Sequence, residues 1–120
     1  MGDREYRAIP ECAGWEVEAA LERNDPEELS IVVLSVALHA DDAQSAQDLC
    51  IRLASHADAN VRGNAIEGLA HVARLHGVLE EARARPVVEA ALKDPEDWVR
   101  GAAEHARDDL EVFLKWVFQD

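Results

Sequence analysis

Apolar positions recur at intervals of three and four residues along most of the 120-residue chain. This is the period of helices that bury one face. Residues 11–23 carry Trp15, Ala19 and Leu21, with Val17 beside them. The run Ile31-Val32-Val33-Leu34 is apolar on all sides, so the helix over residues 29–39 is expected to lie between neighbouring layers. Ala46, Leu49, Cys50, Leu53 and Ala54 form a stripe over residues 43–55. Val61, Ala65, Leu69, Val72 and Ala73 form one over residues 59–76. Val99, Ala103, Ala106, Leu110, Phe113 and Val117 are the inward face of a last helix over residues 95–118.

The punctuation between stripes is equally regular. Asp25-Pro26 supplies an N-cap carboxylate and then a proline at the first helical position, where its missing N–H costs nothing. Asp41-Asp42 starts the next helix, Asp58 caps the one after, and Asp94-Pro95 repeats the first device. Gly77 suits a left-handed helix stop. Within residues 78–85 the pattern allows a helical turn or a short helix. Pro86 is expected to break any longer helix and to open a new one reaching Lys93. The expectation is one all-α domain over residues 1–120, built of about three antiparallel helix pairs at 11–39, 43–76 and 79–118. Abundant alanine and 5% aromatics point the same way.

One phrase occurs twice. Val61-Arg62-Gly63-Asn64-Ala65 returns as Val99-Arg100-Gly101-Ala102-Ala103, 38 residues later. A period of that size marks stacked helical units, each of which needs its neighbours to cover its apolar face. Residues 93–103, with Asp94-Pro95 before Val99-Arg100 and then small residues, closely resemble the HEAT-repeat signature. Residues 56–65 match it less fully, and the first pair keeps Asp25-Pro26 but has Ser30-Ile31 where Val-Arg should fall. The resemblance implies a HEAT-like α-solenoid. It also implies that Arg62 and Arg100 pair with an acid in the turn of an adjacent unit, with Asp58 and Asp94 as candidates. Gly63 and Gly101 each cost about 1 kcal/mol against alanine, which close approach of a neighbouring helix would explain.

Charge narrows the function. Twenty-five acids against twelve bases give a net charge of −13, a field that repels phosphate backbones and anionic membranes and attracts basic partners. With two lysines, the chain is a poor match to HEAT-like glycosylases, which need a basic groove. Nucleic-acid and membrane binding are therefore not expected. No apolar run approaches the ~18 residues of a membrane span, and the charged start does not resemble a signal peptide, so a cytoplasmic protein is expected.

Candidate chemistry is sparse. No two of the five histidines stand three or four residues apart, no serine sits in a nucleophile elbow, and no glycine-rich phosphate loop occurs. Cys12 and Cys50 lack metal-ligand spacing, and Cys50 falls among core positions. The expectation is a non-enzyme with no cofactor and no metal.

In a HEAT stack the second helices of successive units line one concave side. The polar residues placed there are Ser35 and His39, then Asn64, Glu67, His71 and Arg74, then Asp97, Glu104, Asp108 and Glu111. Trp98 joins them as an anchor, because tryptophan is enriched at binding hot spots. A second candidate surface is an apolar C-terminal patch around Trp116. Small acidic HEAT-like proteins of this kind resemble the immunity proteins that neutralise basic, nuclease-type bacterial toxin domains, as in contact-dependent growth inhibition. The resemblance implies a monomer or a 1:1 heterocomplex with such a toxin. The alternatives are a general adaptor or assembly subunit, and a cofactor-handling protein similar to the HEAT-like bilin lyases.

Overall fold

The computed structural model describes residues 14–118, the side chain of Trp15 excepted. The expectations for Pro10, Glu11, Cys12 and the Trp15 side chain lie outside the described residues. Six α-helices follow one another: α1 (Gly14–Arg23), α2 (Pro26–His39), α3 (Ala43–Leu53), α4 (Ala59–His76), α5 (Glu81–Ala91) and α6 (Asp97–Phe113). Among the described residues there is no strand. Consecutive helices form three pairs, and the second helices α2, α4 and α6 pack side by side with α4 in the middle. From Val61 to Ala73, every residue of α4 is buried except Arg62 and Glu67.

The helix starts follow the capping chemistry. Asp25 accepts from the Glu28 N–H, Asp42 from Gln44 and Ser45, and Asp58 from Asn60 and Val61. Pro26 opens α2. Gly77 ends α4 with φ 71°, and its N–H reaches the Ala73 carbonyl at 2.8 Å.

Four expectations are corrected. Helix α3 stops at Leu53, two residues early, with Ser55 in the turn. Helix α5 starts at Glu81 and runs through Pro86. The missing N–H of Pro86 frees the carbonyl of Ala82. Ala82 and Pro86 are both exposed, so water can take the place of the lost bond. Helix α6 starts at Asp97, leaving Pro95 in the turn and Glu96 as a cap without a side-chain bond. The Asp94 carboxylate accepts from the Glu96 N–H at 3.0 Å and from the Arg62 guanidinium of α4. The same helix ends at Phe113 because Lys115 turns left-handed, with φ 60°, and the Trp116 N–H returns to the Leu110 carbonyl.

That reversal reshapes the C-terminus. Trp116 is buried, and the Arg85 guanidinium lies 5.5 Å from its ring and 4.7 Å from that of Phe118. Trp116 is therefore a core residue, not the centre of an apolar surface. Phe113 and Val117, assigned to the inward face, are exposed, as is Val112. Ile31 is 53% exposed, so α2 is not buried on all sides.

Two joints lock the units together. Arg62 of α4 pairs through Nε and Nη2 with both oxygens of Asp94, at 2.8 and 3.0 Å, while its Nη1 donates to the carbonyls of His56 and Ala57. The pair is well buried, and the guanidinium holds the Asp94 carboxyl below its usual range. This is the pairing the repeat resemblance implies for Arg62. The second joint fixes the start of α5. Glu80 accepts from Gln44, Gln47 and Arg83 while its own N–H donates to the buried Gln47 amide oxygen at 2.6 Å. These donors lower the Glu80 pKa, led by Gln44.

Candidate functional site

The two copies of the repeated phrase behave differently. Above Gly63 lies the indole of Trp98, so close that a Cβ there would stand 2.5 Å from its Cε2 and Nε1 atoms. The indole N–H is buried against this glycine with no acceptor among the described residues. Close approach therefore explains Gly63. It does not explain Gly101, which is exposed and has nothing within 4 Å of a built Cβ. Among the described residues, Arg100 meets no acid outside its own turn. It pairs with Asp97 of its own first turn and donates to the Asp94 carbonyl at 2.7 Å.

A shallow groove runs along the second helices. At one end, Glu27, Ser30 and Ile31 of α2, Asn60 and Asn64 of α4, and Trp98 of α6 surround a hollow of about 660 Å³. Next along α4, Glu67, His71 and Arg74 face Ala102, His105 and Asp109 of α6 across a smaller hollow of about 160 Å³. Asn64, Glu67, His71 and Arg74 follow one another at helical intervals, so the two hollows share one stripe of α4. Carboxylates of Glu27, Glu67 and Asp109 give the groove an acidic balance, and Ile31 and Trp98 make one end apolar.

Within the groove some polar groups are structural. Asn64 is buried and donates from Nδ2 to the Ser30 carbonyl at 3.0 Å, tying α4 to α2. His71 is buried too, and Arg74 Nη2 donates to its Nδ1 at 2.6 Å. Burial, and then the Arg74 charge, push the His71 pKa down to about 4, so the ring is neutral and carries its proton on Nε2.

The structure places Asn64, Glu67, His71, Arg74 and Trp98 along the same groove, with Asn64 and His71 mostly covered. It does not bring the others to them. Ser35 is fully buried, and with His39 it lines a separate pocket between α1, α2 and α3. The polar side of α2 that these residues mark is turned toward the first helices. Asp97, Glu104, Asp108 and Glu111 are exposed and do not line the groove. Successive helical positions point about 100° apart, so a shift of one residue moves a side chain to another face. The groove residues of α6 are Trp98, Ala102, His105 and Asp109. They stand 38 residues after Asn60, Asn64, Glu67 and His71, so the repeat period itself would have found them.

Among the described residues, no group of three His, Cys, Asp or Glu side chains is placed to hold a metal ion. Cys50 is buried, and burial pushes its thiol up to about 12. No helix among the described residues is long and apolar enough to cross a membrane.

Three stacked helix pairs, joined by an arginine–aspartate bridge and lined by an open groove, define a helical-repeat scaffold of the kind that presents a surface to other proteins. The HEAT repeats family matches residues 16–106, and the chain belongs to that family. Its repeats serve in general as protein-interaction modules and are generally non-catalytic. Neither the curated proteins nor the solved structures yield a match.

Proposed function

We propose that this chain is a non-enzymatic protein-binding module whose groove takes a basic partner. The observation that carries the reading is the pair of hollows along α4, one holding Glu27 with Ile31 and Trp98, the next Glu67 with Asp109. A chain with a net charge of −13 steers a cationic protein toward itself. The apolar end supplies the anchor that charge alone lacks.

The most specific form of this reading is a cytoplasmic immunity protein. Its partner would be a basic, nuclease-type toxin domain of the contact-dependent growth-inhibition kind, held in a 1:1 complex. Such nucleases carry positive active-site surfaces because they bind phosphate backbones, so an acidic groove can occlude them. The test is calorimetric titration of the purified chain with a basic toxin domain encoded beside it. Tight binding that weakens with salt is expected, and Glu67→Lys with Asp109→Lys should weaken it at least about tenfold. Absence of salt-sensitive binding, or indifference to that double substitution, refutes the reading.

A general adaptor is the second reading. It is favoured by one observation, the exposure of Val112, Phe113 and Val117 at the C-terminal end of α6. Phe113→Ser would then abolish partner capture, while the two groove substitutions would leave it unchanged.

A further inference from the structure

The seam between α4 and α6 serves as a template for what the outer face of α6 lacks. On α4 Arg62 receives Asp94 and Gly63 receives Trp98 of the following unit, Ala70 lies across from Ala102 and Ala106, and Ile66, one turn on from Arg62, is fully buried. The same positions on α6, 38 residues on, are Arg100, Gly101, Glu104 and Asp108; among the described residues Gly101, Glu104 and Asp108 are exposed and Arg100 is partly so. Half of the joint is thus repeated and half is rewritten. Gly101 keeps the means of receiving an aromatic ring, and Arg100, whose acid here is the exposed Asp97 of its own turn, can exchange it for a partner's carboxylate. Ile66 and Ala70, both buried, are replaced by exposed acids.

Solubility of an exposed helix face accounts for the acids. It does not account for the glycine. A glycine in an exposed helix costs about 1 kcal/mol against alanine, and Gly101 has no neighbour within 4 Å to require it. At Gly63 the same cost is met by the seat of an indole.

We propose that the outer face of α6 is a docking surface for a basic helix of a partner protein, seated as α6 is seated on α4. The occupant carries an aromatic side chain over Gly101 and a carboxylate one turn earlier for Arg100, as Trp98 and Asp94 are spaced. Lysines or arginines one and two turns after the aromatic residue meet Glu104 and Asp108. Charge complementarity selects this occupant over a second copy of the chain. The residues of α6 that meet α4 at those places are Ala102 and Ala106, which offer the acids nothing. The surface lies outside the groove, and neither assignment rests on the other.

The probe is a peptide with the sequence of residues 94–113 carrying Ala102→Lys, Ala106→Lys and Asp109→Lys, with Glu96→Gln, Asp97→Asn, Glu104→Gln, Asp108→Asn and Glu111→Gln so that its bases outnumber its acids, held helical by a lactam bridge on its far side. It is titrated into the full-length ¹⁵N-labelled chain at about 50 mM salt, where exposed charges are weakly screened. Saturable binding is expected, with amide shifts centred on Arg100, Gly101, Glu104 and Asp108. Gly101→Leu in the chain, or Trp98→Ala in the peptide, should each weaken it about tenfold or more, as loss of an aromatic anchor does. Glu67→Lys in the groove should leave it unchanged. The proposal is overturned if there is no saturation, if the shifts map to Glu67 and Asp109, or if both aromatic-seat variants bind as the parents do.

Discussion

Alanine at the two repeat glycines should have opposite effects. In a helix interior, Gly→Ala gains about 1 kcal/mol, because it removes backbone freedom from the unfolded chain. At Gly101 the new methyl meets nothing within 4 Å, so the gain is kept. Gly101→Ala is expected to stabilise the chain by about 0.5–1 kcal/mol. At Gly63 the methyl would stand 2.5 Å from Cε2 and Nε1 of Trp98 and 2.8 Å from its Cζ2. That is about 1 Å inside normal contact, and the atoms belong to a rigid ring wedged between α4 and α6. Overpacking of this kind costs about 1–3 kcal/mol, so Gly63→Ala should be destabilising by up to about 2 kcal/mol net. The assay is urea unfolding followed by circular dichroism, comparing midpoints at constant slope. A third measurement isolates the cause. In a Trp98→Ala background the ring is gone, and Gly63→Ala should become stabilising like Gly101→Ala. The reasoning fails if Gly63→Ala stabilises the parent chain as much as Gly101→Ala does.

Three further outcomes are expected. His71 has a folded pKa of about 4, below its ordinary 6.5, so its contribution is complete above pH 6.5 and is lost as pH falls toward 4. Urea midpoints should therefore decline between about pH 6.5 and 5, ahead of most carboxylates, and His71→Gln should flatten that decline. Arg62→Ala should cost about 2–3 kcal/mol by leaving the largely covered Asp94 without its guanidinium. Because Asp94 titrates below its ordinary value, the advantage of the parent is present above that value, near 3.8, and disappears as pH falls through the lowered one. In a Cys12→Ser chain, Cys50 should resist thiol reagents until urea unfolds the protein, since its thiol is buried and raised to about 12; prompt labelling in buffer would contradict this.

Much of the scaffold was readable from local chemistry. The caps at Asp25, Asp42 and Asp58 and the stop at Gly77 depend on residues within one turn, and all four stand where the spacing puts them. The Arg62–Asp94 bridge followed from the repeat, which supplies a neighbour that the local chain does not show. Other features depend on distant partners with no local mark. Pro86 is tolerated because Ala82 faces water. Lys115 ends α6 in a left-handed turn without the glycine that normally signals one, and Trp116 is buried as a result. Glu80 looks like a surface acid until Gln44 and Gln47 of α3 converge on it. The groove was half legible. A polar stripe on α4 has only one open side to face, whereas the polar residues of α6 point in two directions, into the groove and off the end of the stack.

Helix α4 is the shared wall of the molecule, buried from Val61 to Ala73 apart from two side chains. Its amides should be the slowest to exchange with deuterium, and protection should decline toward α1 and toward α5 and α6. Each outer pair can open while the wall and the opposite pair remain closed. A ligand clasped at one end would then register first as slower opening of that pair alone, a local readout of occupancy that needs no change in shape.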